Sequence, residues 1–346
     1  MTRRKFLKAS LLSSVFGTNL FAKNWSKTHF ILPKKPFEYF HKKGKSSKFR
    51  VMLIGGIHGN EMGAYKAADM LIDATLERGE LFIIPRSNFT SILADVRGYN
   101  GDMNRKFAYI SKKDPDYPFV ELLKEAILDY RPDVLISMHD GFGFNIKNKK
   151  DWGQSIVIDE KQYKNFNLYS EAEFIKNNAN KYLSRKLGLI NTKTFTAHIH
   201  DEQKKALTGW CLENGIKAFC IEASKQLPSV EEKIRTHLIM LREFFKLYDV
   251  KVKELDEMIK EPFKFLDKRK PEVVLDINSQ RYRYKKRAFL KIPKGSNVRI
   301  VQINGPRGAF TVPRHINLNW VSFHAPYVEL DVKNDYKKLF DIKIRT

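Results

Sequence analysis

The chain has 346 residues, a formal net charge of +24 and an apolar share of 42% with 12% aromatics. That apolar content excludes a disordered chain, and the two cysteines, Cys211 and Cys220, are too few for a disulfide scaffold or a cysteine-based metal site. The charge draws the protein toward polyanions, but no helix-turn-helix, zinc-finger spacing or RNA-binding aromatic motif is present, which argues against nucleic acid. The two cysteines read as unpaired buried thiols, a bridge between them being the alternative in an oxidising compartment.

The first 22 residues read as a cleavable signal peptide. Thr2-Arg3-Arg4-Lys5-Phe6-Leu7-Lys8 gives a charged start, Ala9 to Ala22 a short apolar run, and the paired arginines resemble a twin-arginine export signal. The run is too short and too broken by Ser, Gly and Asn to span a bilayer, and no other segment is apolar enough. The expected mature protein is therefore periplasmic, with no stable membrane span.

Residues 23–48 read as an irregular basic lead-in. The run Arg50 to Ile57 is continuously apolar, as in a strand buried on both faces, and the turn at His58-Gly59-Asn60 leads into a helix from Glu61 to Thr75. Glu80 to Pro85 reads as a strand, Phe119 to Tyr130 as a helix, and Val134 to Met138 and Ser155 to Asp159 as strands. Glu171 to Leu187 is the next expected helix, Lys217 to Glu222 another buried strand, and Ser229 to Tyr248 a long helix. Buried strands alternating with helices predict an α/β fold with a mostly parallel sheet covered on both faces, over residues 23–250.

After about residue 250 the composition changes. A charged linker runs to Lys270, followed by β-branched and aromatic runs at Glu272 to Ile277, Ala288 to Ile292, Val298 to Ile303 and Val321 to Val332. Gly and Pro punctuate them. Residues 271–346 are expected to form a small antiparallel, sandwich-like β domain.

Active sites of open α/β sheets gather at the carboxyl ends of strands. His58 and Glu61 fall where the first strand gives way to its helix, and His139 falls just past Val134 to Met138. One carboxylate and two imidazoles make a three-ligand zinc set with one open position. Glu222 ends a later strand, where it can act as general base. Arg97, with Asn104 and Arg105 seven and eight residues on, supplies fixed donors for a substrate carboxylate and a developing oxyanion. Taken singly, each of these residues has an ordinary structural explanation. As an ordered set they are far more specific.

The segment Gly55-Gly56-Ile57-His58-Gly59-Asn60-Glu61 resembles the first metal motif of the zinc carboxypeptidase and aspartoacylase superfamily. Arg97 followed by Asp102-Met103-Asn104-Arg105-Lys106-Phe107 resembles that superfamily's spaced arginine motif. The segments GDMNRKF, KKDPDYP, MHDGFGF, DWG, KALTG and EASKQLP resemble, in order, the cell-shape-determining peptidoglycan DL-carboxypeptidases of helical bacteria. The resemblance implies one zinc ion per chain held by His58, Glu61 and His139, with Glu222 as base. It implies that Arg97 assists catalysis, that Asn104 and Arg105 grip the carboxyl groups, and that Trp152 and Thr208 line the pocket. It further implies muropeptide substrates, with the terminal meso-diaminopimelate removed from a tripeptide. The alternatives are an N-acyl amino acid deacylase of the aspartoacylase type, using the same metal motif, and a catalytically silent binder of wall peptides. No oligomeric partner is specified by the sequence.

Three further features stand apart. His198-Ile199-His200-Asp201 reads as a rim loop, a second metal site being the alternative. His315 and His324 read as ordinary residues of the β domain. The run Arg281 to Arg287 (RYRYKKR) interleaves basic and aromatic side chains, suited either to an anionic polymer or to guarding a sheet edge.

Overall fold

A computed structural model describes residues 27–197 and 201–346, so the expected signal peptide of residues 1–22 and the histidines of 198–200 lie outside the described residues. Two compact units emerge: residues 37–266, and residues 27–36 joined with 267–346. The boundaries therefore depart from the expected 23–250 and 271–346. Thr28–Ile31, read as lead-in, is a strand that pairs with Asn297–Asn304 and Ser322–Ala325. At the other end Leu255–Lys260 is a helix rather than linker, and it buries Leu255 and Met258 in the core of the first unit.

The first unit is an α/β layered fold around a seven-stranded sheet. In spatial order its strands are Gly188–Asn191, Ser155–Ile158, Ala218–Ser224, Val134–Gly141, Arg50–Ile54, Glu80–Ile84 and Phe40–Lys43. Four of the six pairings are parallel. The edge strand Phe40–Lys43 and the junction of Ser155–Ile158 with Ala218–Ser224 are antiparallel. Side chains alternate across the sheet as the two-residue period of a strand requires. Val51, Leu53, Ile136 and Ile221 enter one core with the helices Met62–Met70, Leu168–Ala179 and Val230–Leu247. Met52, Ile54 and Leu135 enter the other with Val120, Leu123 and Ile127 of the helix Tyr117–Tyr130.

Local chemistry sets the helix ends. Ser229 caps Val230–Leu247 by accepting from the Glu232 N–H at 3.1 Å, with Glu231 and Glu232 in the positive first turn. Asn167 likewise caps Leu168–Ala179, so this helix starts and stops earlier than its apolar spacing suggested. The helix read as Glu61 to Thr75 spans only Met62–Met70.

The second unit packs a five-stranded sheet against a four-stranded one over a shared core of Phe30, Val273, Leu275, Val298, Leu330, Val332 and Ile342. Most pairings are antiparallel; Thr28–Ile31 with Asn297–Asn304 and Ala288–Lys291 with Lys337–Arg345 are parallel. The run Val321 to Val332 breaks at Pro326 into Ser322–Ala325 in one sheet and Tyr327–Asn334 in the other. Among the described residues, no helix is long and apolar enough to cross a membrane.

Candidate metal centre

The strand Arg50–Ile54 runs into Gly55 and Gly56, and Gly56 takes φ +73°, a left-handed turn that favours glycine. Gly59 follows under a steric constraint: a Cβ there would lie 2.0 Å from the Ser91 carbonyl carbon. This tight path folds His58 and Glu61 back over the end of the sheet. Glu61 occupies the N-cap position of Met62–Met70 but makes no side-chain cap bond. The Gly63 N–H of that first turn donates instead to Asp140 Oδ2 at 2.7 Å. Glu61 thus keeps its carboxylate for the centre.

On Val134–Gly141, Ser137 and His139 share one face two residues apart, and Asp140 points to the other. The parallel ladder sets His139 directly beside Glu222, and Ser137 beside Cys220. His58, Glu61 and His139 converge. His58 Nδ1 and His139 Nδ1 lie 2.9 and 2.8 Å from the two oxygens of Glu61 and 3.1 Å from each other. All three side chains are buried, and their donor atoms lie within 4.8 Å of one another.

The outer ring nitrogens are also held: His58 Nε2 meets Asp102 Oδ1 and His139 Nε2 meets Ser137 Oγ, each at 2.9 Å. Metal-binding histidines are commonly oriented in this way, with the inner nitrogen turned to the ion. Two imidazole nitrogens facing each other beside a buried carboxylate form a donor set suited to a cation. A metal ion fits these residues.

The electrostatics follow from burial against charge. Burial works against ionising Glu61, yet the two imidazoles hold its carboxyl well below the usual range. Burial also resists protonation of His58, but Glu61 and Asp102 outweigh it and raise its pKa. At His139 burial wins and the pKa falls, which suits a neutral ligand. Burial, then the charges of Glu61 and Asp140, push Glu222 well above the usual carboxylate range. Its Oε2 is buried with no hydrogen-bond partner among the described residues, and the Cys220 thiol lies 3.6 Å from its Oε1.

A cavity of about 350 Å³ opens from this centre and brings together every site residue expected from the sequence: His58, Glu61, Arg97, Asn104, Arg105, His139, Trp152, Thr208 and Glu222. Arg97 is half exposed; its Nε and Nη2 donate to Asp102 Oδ2, and its Nη1 lies 3.6 Å from Glu61. Asn104 and Arg105 sit on the short 3-10 turn Met103–Arg105, capped by Asp102 and anchored by buried Met103 and Phe107. Asn104 Oδ1 accepts from the Leu207 N–H, so its amide NH₂ is the end left for a ligand. The Arg105 guanidinium bonds only the Asn104 carbonyl among the described residues. Cys211 and Cys220 are free thiols, each raised in pKa by burial.

Sequence reasoning gave no role to several residues found here. Asp102 lay inside the quoted arginine motif, yet it links His58, Arg97 and Asn104. Asp159, buried in the cavity wall, is bonded by the hydroxyls of Thr194 and Thr208. Its place at the end of Ser155–Ile158 was the available signal. Lys225 Nζ lies 3.5 Å from Glu61.

A high-pKa carboxylate beside a cation-binding cluster, at the carboxyl ends of parallel strands, is an arrangement for hydrolysis, and a metal-dependent hydrolase is the class that fold and site define. Residues 20–265 match the family described as carboxypeptidase controlling helical cell shape, catalytic. The chain belongs to that family and is a metallocarboxypeptidase. No curated protein matches it. Among solved structures it is similar to the cell shape determinant protein Csd4 from Helicobacter pylori. A variant of that protein is 24% identical at TM-score 0.67, with 89% of this chain and 76% of that one covered. The tripeptide-bound form is 23% identical at TM-score 0.67, covering 89% and 77%. The mDAP-bound form, described as a D,L-carboxypeptidase, is 23% identical at TM-score 0.67, covering 88% and 75%.

Proposed function

We propose that the chain is a periplasmic, zinc-dependent D,L-carboxypeptidase that removes terminal meso-diaminopimelate from peptidoglycan tripeptide and so affects cell shape. The observation that carries this reading is the convergence of His58 Nδ1, His139 Nδ1 and the Glu61 carboxylate beside the unpartnered Oε2 of Glu222, in one cavity with Arg97 and Arg105. Two imidazoles and one carboxylate are a ligand set typical of catalytic zinc. A zinc ion held there supplies Lewis acidity toward the scissile carbonyl and the attacking water.

The chain's own residues supply the rest. Glu222, whose buried Oε2 has no other partner among the described residues, accepts a proton from the attacking water and returns it to the leaving amine. Arg97, tied to Asp102 beside the centre, stabilises the oxyanion. Arg105 and the free amide end of Asn104 hold the terminal carboxylate, a fork-shaped contact for a planar anion. Trp152 and Thr208 line the pocket for the departing residue. The tripeptide- and mDAP-bound forms of the similar protein support this substrate class.

The test is to incubate purified protein with muropeptide tripeptide, tetrapeptide and a small N-acyl amino acid, with zinc content measured on the same sample. Loss of diaminopimelate from the tripeptide alone, at about one zinc per chain, is the expected outcome. Equal cleavage of the tetrapeptide removes the tripeptide assignment, and preference for the N-acyl amino acid makes the enzyme a deacylase.

A further inference from the structure

Charge is divided unevenly between the two units. Residues 37–266 carry 37 lysines and arginines against 32 acids, whereas residues 27–36 and 267–346 carry 21 against seven. Within the second unit, five basic residues of the RYRYKKR run and Arg299 are all exposed. The five-stranded sheet runs Gln280–Tyr284, Glu272–Ile277, Asn297–Asn304, Thr28–Ile31, Ser322–Ala325. Its inward face holds Val273, Leu275, Val298 and Phe323; strand alternation turns Arg281, Arg283 and Arg299 outward. In register, Arg281 lies across from Asp276, which lies across from Arg299.

Guarding an exposed strand explains cations on the edge strand Gln280–Tyr284. It does not explain Arg299, two strands inside the sheet. Arg283 and Lys285 share one carboxylate, Glu272, at 2.9 and 3.3 Å. The guanidiniums of Arg281 and Arg299 have no hydrogen-bond or ion-pair partner among the described residues. The two residues stand two strand spacings apart, with Asp276 between them, about 10 Å between their backbones at ordinary strand spacing. Asp276 between them divides the positive surface into separate sites, which suits monoanionic groups spaced along an extended polymer. Guanidinium forks pair well with such carboxylates.

We infer that the outward face of this sheet is a docking surface for a carboxylate-bearing wall polymer, holding the enzyme on the material its cleft trims; this rests on the substrate class proposed above. Tethering of this kind raises the local concentration of cleavable stems without adding any contact in the cleft.

The experiment uses full-length protein with purified insoluble peptidoglycan sacculi. The sedimented fraction should fall roughly 10-fold for Arg281→Glu/Arg299→Glu and again for wild type when salt rises from about 50 to about 500 mM. Arg281→Gln/Arg299→Gln, which removes charge without reversing it, should fall partway. Lys45→Glu/Lys48→Glu, an equal charge change in the first unit, should bind as wild type does. Blocking the carboxylates of the sacculi by amidation should abolish sedimentation. Hydrolysis of soluble tripeptide should be unchanged in all variants. Undiminished binding by the Arg281/Arg299 reversal, binding that survives amidation, or stronger sedimentation with phosphatidylglycerol vesicles than with sacculi would each overturn the inference. If wild type fails to cleave soluble tripeptide, the proposed reaction fails while sedimentation still decides the docking surface.

Discussion

The two units use charge in opposite ways. In residues 37–266 cations and anions nearly balance, and the groups that matter are buried: Glu61, His139 and Glu222 take their properties from exclusion of water. In the smaller unit cations outnumber acids three to one, and even buried carboxylates are held by more exposed arginines, Asp331 by Arg314 at 2.7 Å and Asp341 by Arg287 at 3.1 Å. The net charge of the whole chain is therefore a poor guide to the cleft. Buried charges set chemistry through desolvation, whereas exposed ones act over a screened distance and respond to salt.

That contrast can be broken at four points, in falling order of effect. Glu222→Gln keeps the shape and removes the proposed base, so turnover should fall by ~10²–10⁴-fold while metal content stays the same. Near-normal turnover with metal retained places the base elsewhere. Arg105→Lys should lower kcat/KM on soluble tripeptide by roughly 10- to 100-fold, because a point charge cannot reproduce a two-pronged contact. An equal loss from neutralising Arg281 would erase the distinction between the units.

Gly59→Ala forces a Cβ into the Ser91 backbone and should destabilise the first unit by about 1–3 kcal/mol in denaturant titration, with lower metal occupancy. A neutral result would mean the loop at Ser91 yields easily. The smallest effect concerns acid stability of the second unit. Burial opposes ionisation of Asp267, but the Arg269 guanidinium and the Arg307 N–H overcome it and hold the pKa at about 2. A carboxyl depressed on folding stabilises above its ordinary pKa, about 4, and loses that contribution as pH falls through about 2. Thermal melts of this unit should fall over that window, and Asp267→Asn should flatten the decline.

Much of the first unit was legible because its central strands are buried on both faces and read as unbroken apolar runs, and because His58, Glu61, His139 and Glu222 fall at strand ends; the half-exposed edge strand Phe40–Lys43 was not. The second unit was less so. Its strand Lys337–Arg345 alternates Lys, Asp and Arg with Ile and Phe too irregularly to stand out, and Thr28–Ile31 finds its partners more than 260 residues away, which local pattern cannot reveal. The centre itself divides the same way. His58, Glu61, His139 and Glu222 were readable from position and motif; the outer partners Asp102 and Ser137 acquire meaning only when tertiary contact brings them against ring nitrogens.

The parallel ladder that sets Glu222 beside His139 has a consequence for how the protein should be assayed. The three residues that would hold the metal come from the turn after Arg50–Ile54 and from Val134–Gly141, so on the proposed reading a molecule could load its ion once those two strands pair. Glu222 arrives separately, on Ala218–Ser224. A slip of one residue there would turn its side chain to the opposite layer and leave the ion in place. Such a molecule would pass every measurement of metal content and catalyse nothing. Metal stoichiometry therefore counts molecules with two strands correctly joined; only turnover counts those with the third in register.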